Sequence, residues 1–238
     1  MSIRPEVPHG RRVPRRPVRH PGGAPPLGEP GSVRTSDGRL LRTVTAGVGR
    51  DLIVLEAGLG GSGLTWGLVH ARLAGACRVV AYDRAGLGSS DPDPAPRDLA
   101  RLADDLEAVV GATPHRRLLL VGHSWGGPVV RVVAARRIAR GLRTAGVVLV
   151  DPSDERARAY AGPLVRVAVD AQAALLVPLA RLGLLAPLHR TALRGLPTDL
   201  LAPAVAAAGA VPAARATAAE QRHVLAGLQA LAAHPGSS

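Results

Sequence analysis

Ser124 has glycine two residues away on either side, in the run Gly122-His123-Ser124-Trp125-Gly126-Gly127, and that spacing suits a nucleophile. A G-x-S-x-G bend is so tight that side chains at its flanks would strike the neighbouring backbone, so glycine is required there and the serine is left at the apex. The apex also lies beside the positive end of any helix that follows, which favours negative charge on the hydroxyl oxygen. A serine held in this way attacks acyl carbons. It needs three things from elsewhere in the chain: a base to take the Oγ proton, a carboxylate to orient that base, and N–H donors to hold the oxyanion.

The elements around Ser124 fit that requirement. Leu118–Val121 is an unbroken apolar run, as in a strand buried on both faces. After the bend, Val129, Val130, Val132, Val133 and Ile138 recur at helical spacing. Order is expected to begin near Val33. Asp37-Gly38 reads as the turn of a hairpin between Val33–Thr35 and Arg39–Thr45. Leu52–Leu55, Arg78–Tyr82 and Gly146–Val150 are further strands. Helices are expected after Gly63 (Leu64, Leu68, Leu73) and over Leu99, Leu102, Leu106, Val109 and Val110, the latter closed by Gly111. Strands alternating with helices give an α/β fold, a mostly parallel sheet with helices on both faces. From Asp154 onward the text is helical or loop, rich in Ala and Leu and broken by Pro163, Pro178, Pro187, Pro197, Pro203 and Pro212. The expected organisation is therefore a disordered Arg/Pro-rich tail over 1–32, an α/β core over 33–154 and a helical lid over 155–238.

Composition narrows the function. The net charge of +12 comes from thirty basic residues, all of them Arg, in a chain without Phe and with two Trp and two Tyr. Arginines spread along the chain with so few stacking aromatics argue against a nucleic-acid partner. A single cysteine, Cys77, excludes an intramolecular disulfide framework and reads as a small core residue. The N-terminal arginines are not followed by the apolar stretch of a signal peptide, and Ala171–Ala180 is too short to span a bilayer. The expectation is a cytoplasmic protein without stable membrane insertion, without a metal and without a cofactor.

A second fingerprint competes. Gly58, Gly60 and Gly63 fit G-x-G-x-x-G between a strand and a helix, and Asp83 follows at the end of the next strand, as in a dinucleotide site. A dinucleotide-binding oxidoreductase is therefore an alternative, but it leaves Gly122–Gly127 unexplained.

Leu55–Gly61, Tyr82–Asp91 and Gly122–Gly127 together, in that order and spacing, resemble the α/β-hydrolase superfamily in its lipase- and esterase-like group. The resemblance spans about 33–155. It implies that the first loop and the elbow sit on adjacent strands at a switch-point crevice. It also implies that the backbone N–H groups of Leu59 and Trp125 form the oxyanion hole. At Ala57 the family often carries His, so this loop is a variant. Asp83 and Arg84 are expected to be structural, and His123 to pack away from the serine's base. The resemblance places the acid and the base after later strands that this text lacks, as in a C-terminally incomplete fold. Asp151, at a strand end, is the candidate acid. His189, His223 and His234 lie in helical or terminal text, and the base stays unassigned. The functional expectation is a serine hydrolase of an ester, amide or related small acyl compound. An acyltransferase or cofactor-free peroxidase on the same scaffold is equally compatible. The alternative is a truncated or degenerate hydrolase-fold protein without turnover, self-associating through the apolar edge left at Val147–Val150.

Overall fold

Three largely buried apolar runs, Leu52–Leu55, Val79–Tyr82 and Leu118–Val121, set the architecture, and they pair side by side. The computed structural model describes residues 27–157 and 162–233. Its six strands are β1 (Glu29–Arg34), β2 (Leu40–Ala46), β3 (Asp51–Glu56), β4 (Arg78–Tyr82), β5 (Arg117–His123) and β6 (Gly146–Val150). They form one sheet in the order β1-β2-β4-β3-β5-β6. The β1–β2 and β2–β4 pairs are antiparallel, and β4, β3, β5 and β6 run parallel. The chain leaves β3 toward β4 and later crosses to β5 on β3's other side, so the crossovers diverge between β3 and β5. That is the switch point where α/β sheets place their sites.

The helices are α1 (Gly67–Leu73), entered through a 3-10 turn at Gly63–Trp66, α2 (Leu99–Ala112), α3 (Gly126–Ala139), α4 (Pro163–Arg181), α5 (Leu185–Ala192), α6 (Thr198–Gly209) and α7 (Val211–Ala233). Alternate residues of the strands face opposite layers. Leu52, Val54, Leu118 and Leu120 pack with Leu102 and Leu106 of α2, Val129 and Val133 of α3, and Val224, Leu228 and Leu231 of α7. On the other face Leu55, Val79, Ala81 and Val121 pack with Trp66. Asp98 caps α2 by accepting the Arg101 N–H at 2.8 Å.

The sheet, the hairpin and the helices follow the expected order, with three corrections. The β1 strand begins at Glu29, because Glu29–Ser32 pair with Arg42–Thr45; the tail is thus ordered for four residues before Val33. Helix α2 runs through Gly111 to Ala112 and ends at an extended Thr113, so Gly111 is no C-terminal cap. Finally, 155–238 is not one lid. Helix α7 supplies Val224, Leu228 and Leu231 to the main core, which the boundary at 154 cuts away from it. The expected disorder of residues 1–26, and His234, lie outside the described residues.

The β6 strand has β5 on one side only. Its Val147, Val148, Leu149 and Val150 are 36–43% exposed, an apolar edge among the described residues. No single helix among the described residues is long and apolar enough to cross a membrane.

Candidate active site

The elbow is built by backbone collisions that only glycine avoids. A Cβ on Gly122 would lie 2.4 Å from the carbonyl oxygen of Gly126, so β5 and the first turn of α3 could not meet. A Cβ on Gly126 would lie 2.5 Å from the carbonyl oxygen of Glu56 at the end of β3. Between them Ser124 adopts φ +50°, a left-handed conformation unusual for a residue with a side chain. Neighbours hold it there: its N–H donates to Val150 O at 3.1 Å, and its own carbonyl accepts from Gly127 and Ser153, each at 3.0 Å. Ser124 is half-buried. No hydrogen bond joins its hydroxyl to a histidine or carboxylate among the described residues.

The loop after β3 lies beside it, as β3 pairs with β5 over its whole length. A Cβ on Gly58 would sit 3.1 Å from Ser124 Cβ and 3.0 Å from His123 Nδ1, so both side chains lean over Gly58. Neither the Leu59 nor the Trp125 backbone N–H donates to another group among the described residues. Trp125 directly follows the serine, and Leu59 directly follows Gly58 in the loop after β3. His123 is exposed and meets Trp66 edge-on, with ring centroids 6.3 Å apart at 87°.

Underneath, Arg84 carries more structure than its sequence context suggested. It is buried, and its five N–H groups meet five acceptors. Nη1 donates to Glu56 Oε1 (2.7 Å) and Ala57 O (2.6 Å). Nη2 donates to Gly58 O (2.7 Å) and Glu220 Oε2 (2.8 Å), and Nε to Glu220 Oε1 (2.9 Å). The Tyr82 hydroxyl donates to the other oxygen of Glu56. Burial pushes the Glu56 carboxyl above its ordinary range, against the pull of Arg84, and pushes the Tyr82 phenol up as well. Sequence reasoning missed Glu56 and Glu220. The available signal was a carboxylate ending an apolar strand and another within an alanine-rich helix.

The Asp83 carboxylate is a structural clamp: it accepts the Gly63 N–H at 2.8 Å and the Ser89 N–H at 3.1 Å. It thereby ties together the two glycine loops. Asp151 follows the β6 residue that pairs with His123, so it lies one step along the sheet from Ser124. It too is left-handed, at φ +43°, and exposed. His189 on α5 and His223 on α7 are half-buried, and burial holds the His189 imidazole below its usual range. Neither forms a hydrogen bond linking it to Ser124. Among the described residues no group of three or more His, Cys, Asp or Glu is arranged to hold a metal ion.

Comparison with known proteins agrees with this geometry. A model described as the alpha/beta hydrolase family matches residues 53–237, well over half of the chain. A Caulobacter vibrioides protein provisionally named carbamate hydrolase RutD is 40% identical over 80 residues, 33% of this chain and 30% of that protein. The chain thus spans under a third of the curated relatives it matches. A Salmonella enterica structure provisionally named an acyltransferase superposes with TM-score 0.72 at 21% identity, covering 89% of this chain and 76% of that one. A hydrolase from Pseudomonas aeruginosa gives TM-score 0.62 at 25% identity, covering 82% and 73%.

Proposed function

Because the chain belongs to the alpha/beta hydrolase family, we propose that it is a serine hydrolase acting on a small ester, amide or related acyl compound through Ser124. The carrying observation is the left-handed Ser124 at the junction of β5 and α3, with two uncommitted N–H groups beside it. In this mechanism Ser124 Oγ attacks the acyl carbon, and its proton passes to a base as the C–O bond forms. The carbonyl oxygen becomes an oxyanion that accepts the Leu59 and Trp125 N–H groups. Such donors commonly provide the largest electrostatic share of catalysis, about 10²–10³ in kcat for each. Collapse expels the leaving group, and water then releases the acyl group from Ser124. Relatives and neighbours named as hydrolases support this chemistry, and the name carbamate hydrolase favours an acyl carbon bearing nitrogen. Asp151 is the candidate acid, on its position beside Ser124 at the next strand end.

A second reading is favoured by one observation: no histidine or carboxylate forms a hydrogen bond with the Ser124 hydroxyl among the described residues. A hydrolase-fold protein without turnover would look the same. Intact mass after treatment with a fluorophosphonate decides between them. The expected result is one adduct on the wild type and none on Ser124→Ala, with hydrolysis of p-nitrophenyl acetate lost in the variant. A folded wild type that stays unlabelled would establish the second reading. Dinucleotide binding is disfavoured by the commitment of Asp83 to Gly63 and Ser89, and a flat calorimetric titration with NAD would close it.

A further inference from the structure

We infer that Arg84 is the positioning residue of the oxyanion hole and that Glu220, reaching from α7, holds Arg84 in place. The inference rests on the serine-hydrolase reading above.

The peptide joining Gly58 to Leu59 carries the first oxyanion donor, and its orientation is fixed from the opposite side. Gly58 O accepts from Arg84 Nη2 at 2.7 Å and from the Gly61 N–H at 3.0 Å, which uses both of its lone pairs. No cis peptide occurs among the described residues, so the Leu59 N–H points away from that carbonyl and hence away from Arg84. The preceding carbonyl, Ala57 O, is pinned by Nη1 of the same guanidinium at 2.6 Å. Two successive peptides of the loop are therefore locked by one planar, rigid cation. A cationic donor on Gly58 O also polarises the amide, and that strengthens the Leu59 N–H as a donor.

The guanidinium is itself held by carboxylates from two directions. Glu56 fixes it to the end of β3, and Glu220 grips Nε and Nη2 in a bidentate pair from α7, 136 residues away in sequence. The same helix touches both glycine loops and the elbow. A Cβ on Gly60 would meet Thr217 Oγ1 at 2.8 Å, one on Gly86 would meet Ala216 Cβ at 2.8 Å, and one on Gly227 would meet the Trp125 ring at 2.8 Å. Helix α7 thus sets the spacing between the loop bearing Leu59 and the elbow bearing Trp125. Lysine at position 84 would keep the charge but lose the fork, because three donors on one nitrogen cannot serve five acceptors in a plane.

The test compares the wild type with Arg84→Lys and Glu220→Gln, each checked for folding by circular dichroism. The rate of fluorophosphonate labelling is measured together with kcat and KM for p-nitrophenyl acetate. Labelling and kcat are expected to fall about tenfold or more in Arg84→Lys and about threefold to tenfold in Glu220→Gln, with KM changed less than about twofold. Folded variants that label and turn over at the wild-type rate would overturn the inference, as would a loss confined to KM. If Arg84→Lys does not fold, Glu220→Gln alone decides. If the wild type is not labelled, the hydrolase reading has failed and the inference is judged by the 15N amide resonance of Leu59. That resonance is expected to move between the wild type and Glu220→Gln, and a resonance that stays in place overturns the inference.

Discussion

Ser124 owes its position to residues that have no side chain. Gly122 and Gly126 were legible as necessary in the sequence because the constraint is local: two backbones meeting within five residues. The structure adds which atoms would collide, and two of them lie outside the motif. The obstacle to a side chain at Gly126 is the end of β3, at Glu56 O and Ala57 O. Gly126→Ala should therefore cost about 1–3 kcal/mol through overpacking, seen as a lower midpoint in urea. It should also slow labelling of Ser124 by pushing the elbow from the oxyanion loop. An unchanged midpoint would mean that the end of β3 yields at no cost. Arg84 shows the reverse case. Its sequence context marked it as structural, yet nothing local indicated that five acceptors from two separate segments, 56–58 and Glu220 of α7, would surround it.

At the scale of elements, the site is a junction of strand ends kept in register by short connections. The segment after β6 is one of them. Ser153 N–H donates to Ser124 O, and Glu155 forms a bidentate pair with Arg131 of α3 at 2.7 and 2.9 Å. The Arg131 guanidinium holds the Glu155 carboxyl at about 2, below its ordinary 4.5. The unfolded chain then binds the extra proton between those values, so this stabilisation is complete above about pH 4.5 and is lost as pH falls toward 2. Glu155→Gln should lower the melting temperature at pH 7, by an amount worth about 1–2 kcal/mol, and should match the wild type near pH 2. A difference between the two proteins that persists at pH 2 would exclude the ion pair as its cause. Helix α7 is the element whose role the sequence misplaced. Its alanine-rich text reads as a lid, whereas its buried face carries Val224, Leu228 and Leu231 into the core.

At the scale of the molecule, the open side among the described residues is β6. A parallel edge strand with 36–43% of Val147, Val148, Leu149 and Val150 exposed is a template for pairing with another chain. Light scattering should show a mass that rises with protein concentration. Val148→Lys should suppress that rise while leaving the circular dichroism spectrum unchanged, since a charge on an exposed edge blocks pairing. A monomer at every concentration would show that the edge is protected without a partner.

The amino-acid sequence by itself determined the α/β order of elements, the elbow around Ser124, the adjoining glycine loop and the apolar strand at Gly146–Val150. Each of these rests on periodicity or on steric demands within a few residues, and such constraints are readable without knowing what lies across the molecule. Tertiary structure alone decided that Arg84 is saturated by Glu56 and Glu220, 28 and 136 residues away, and that α7 belongs to the core. A buried charge must find its counter-charges wherever folding brings them, and the order of residues along a chain does not record that distance.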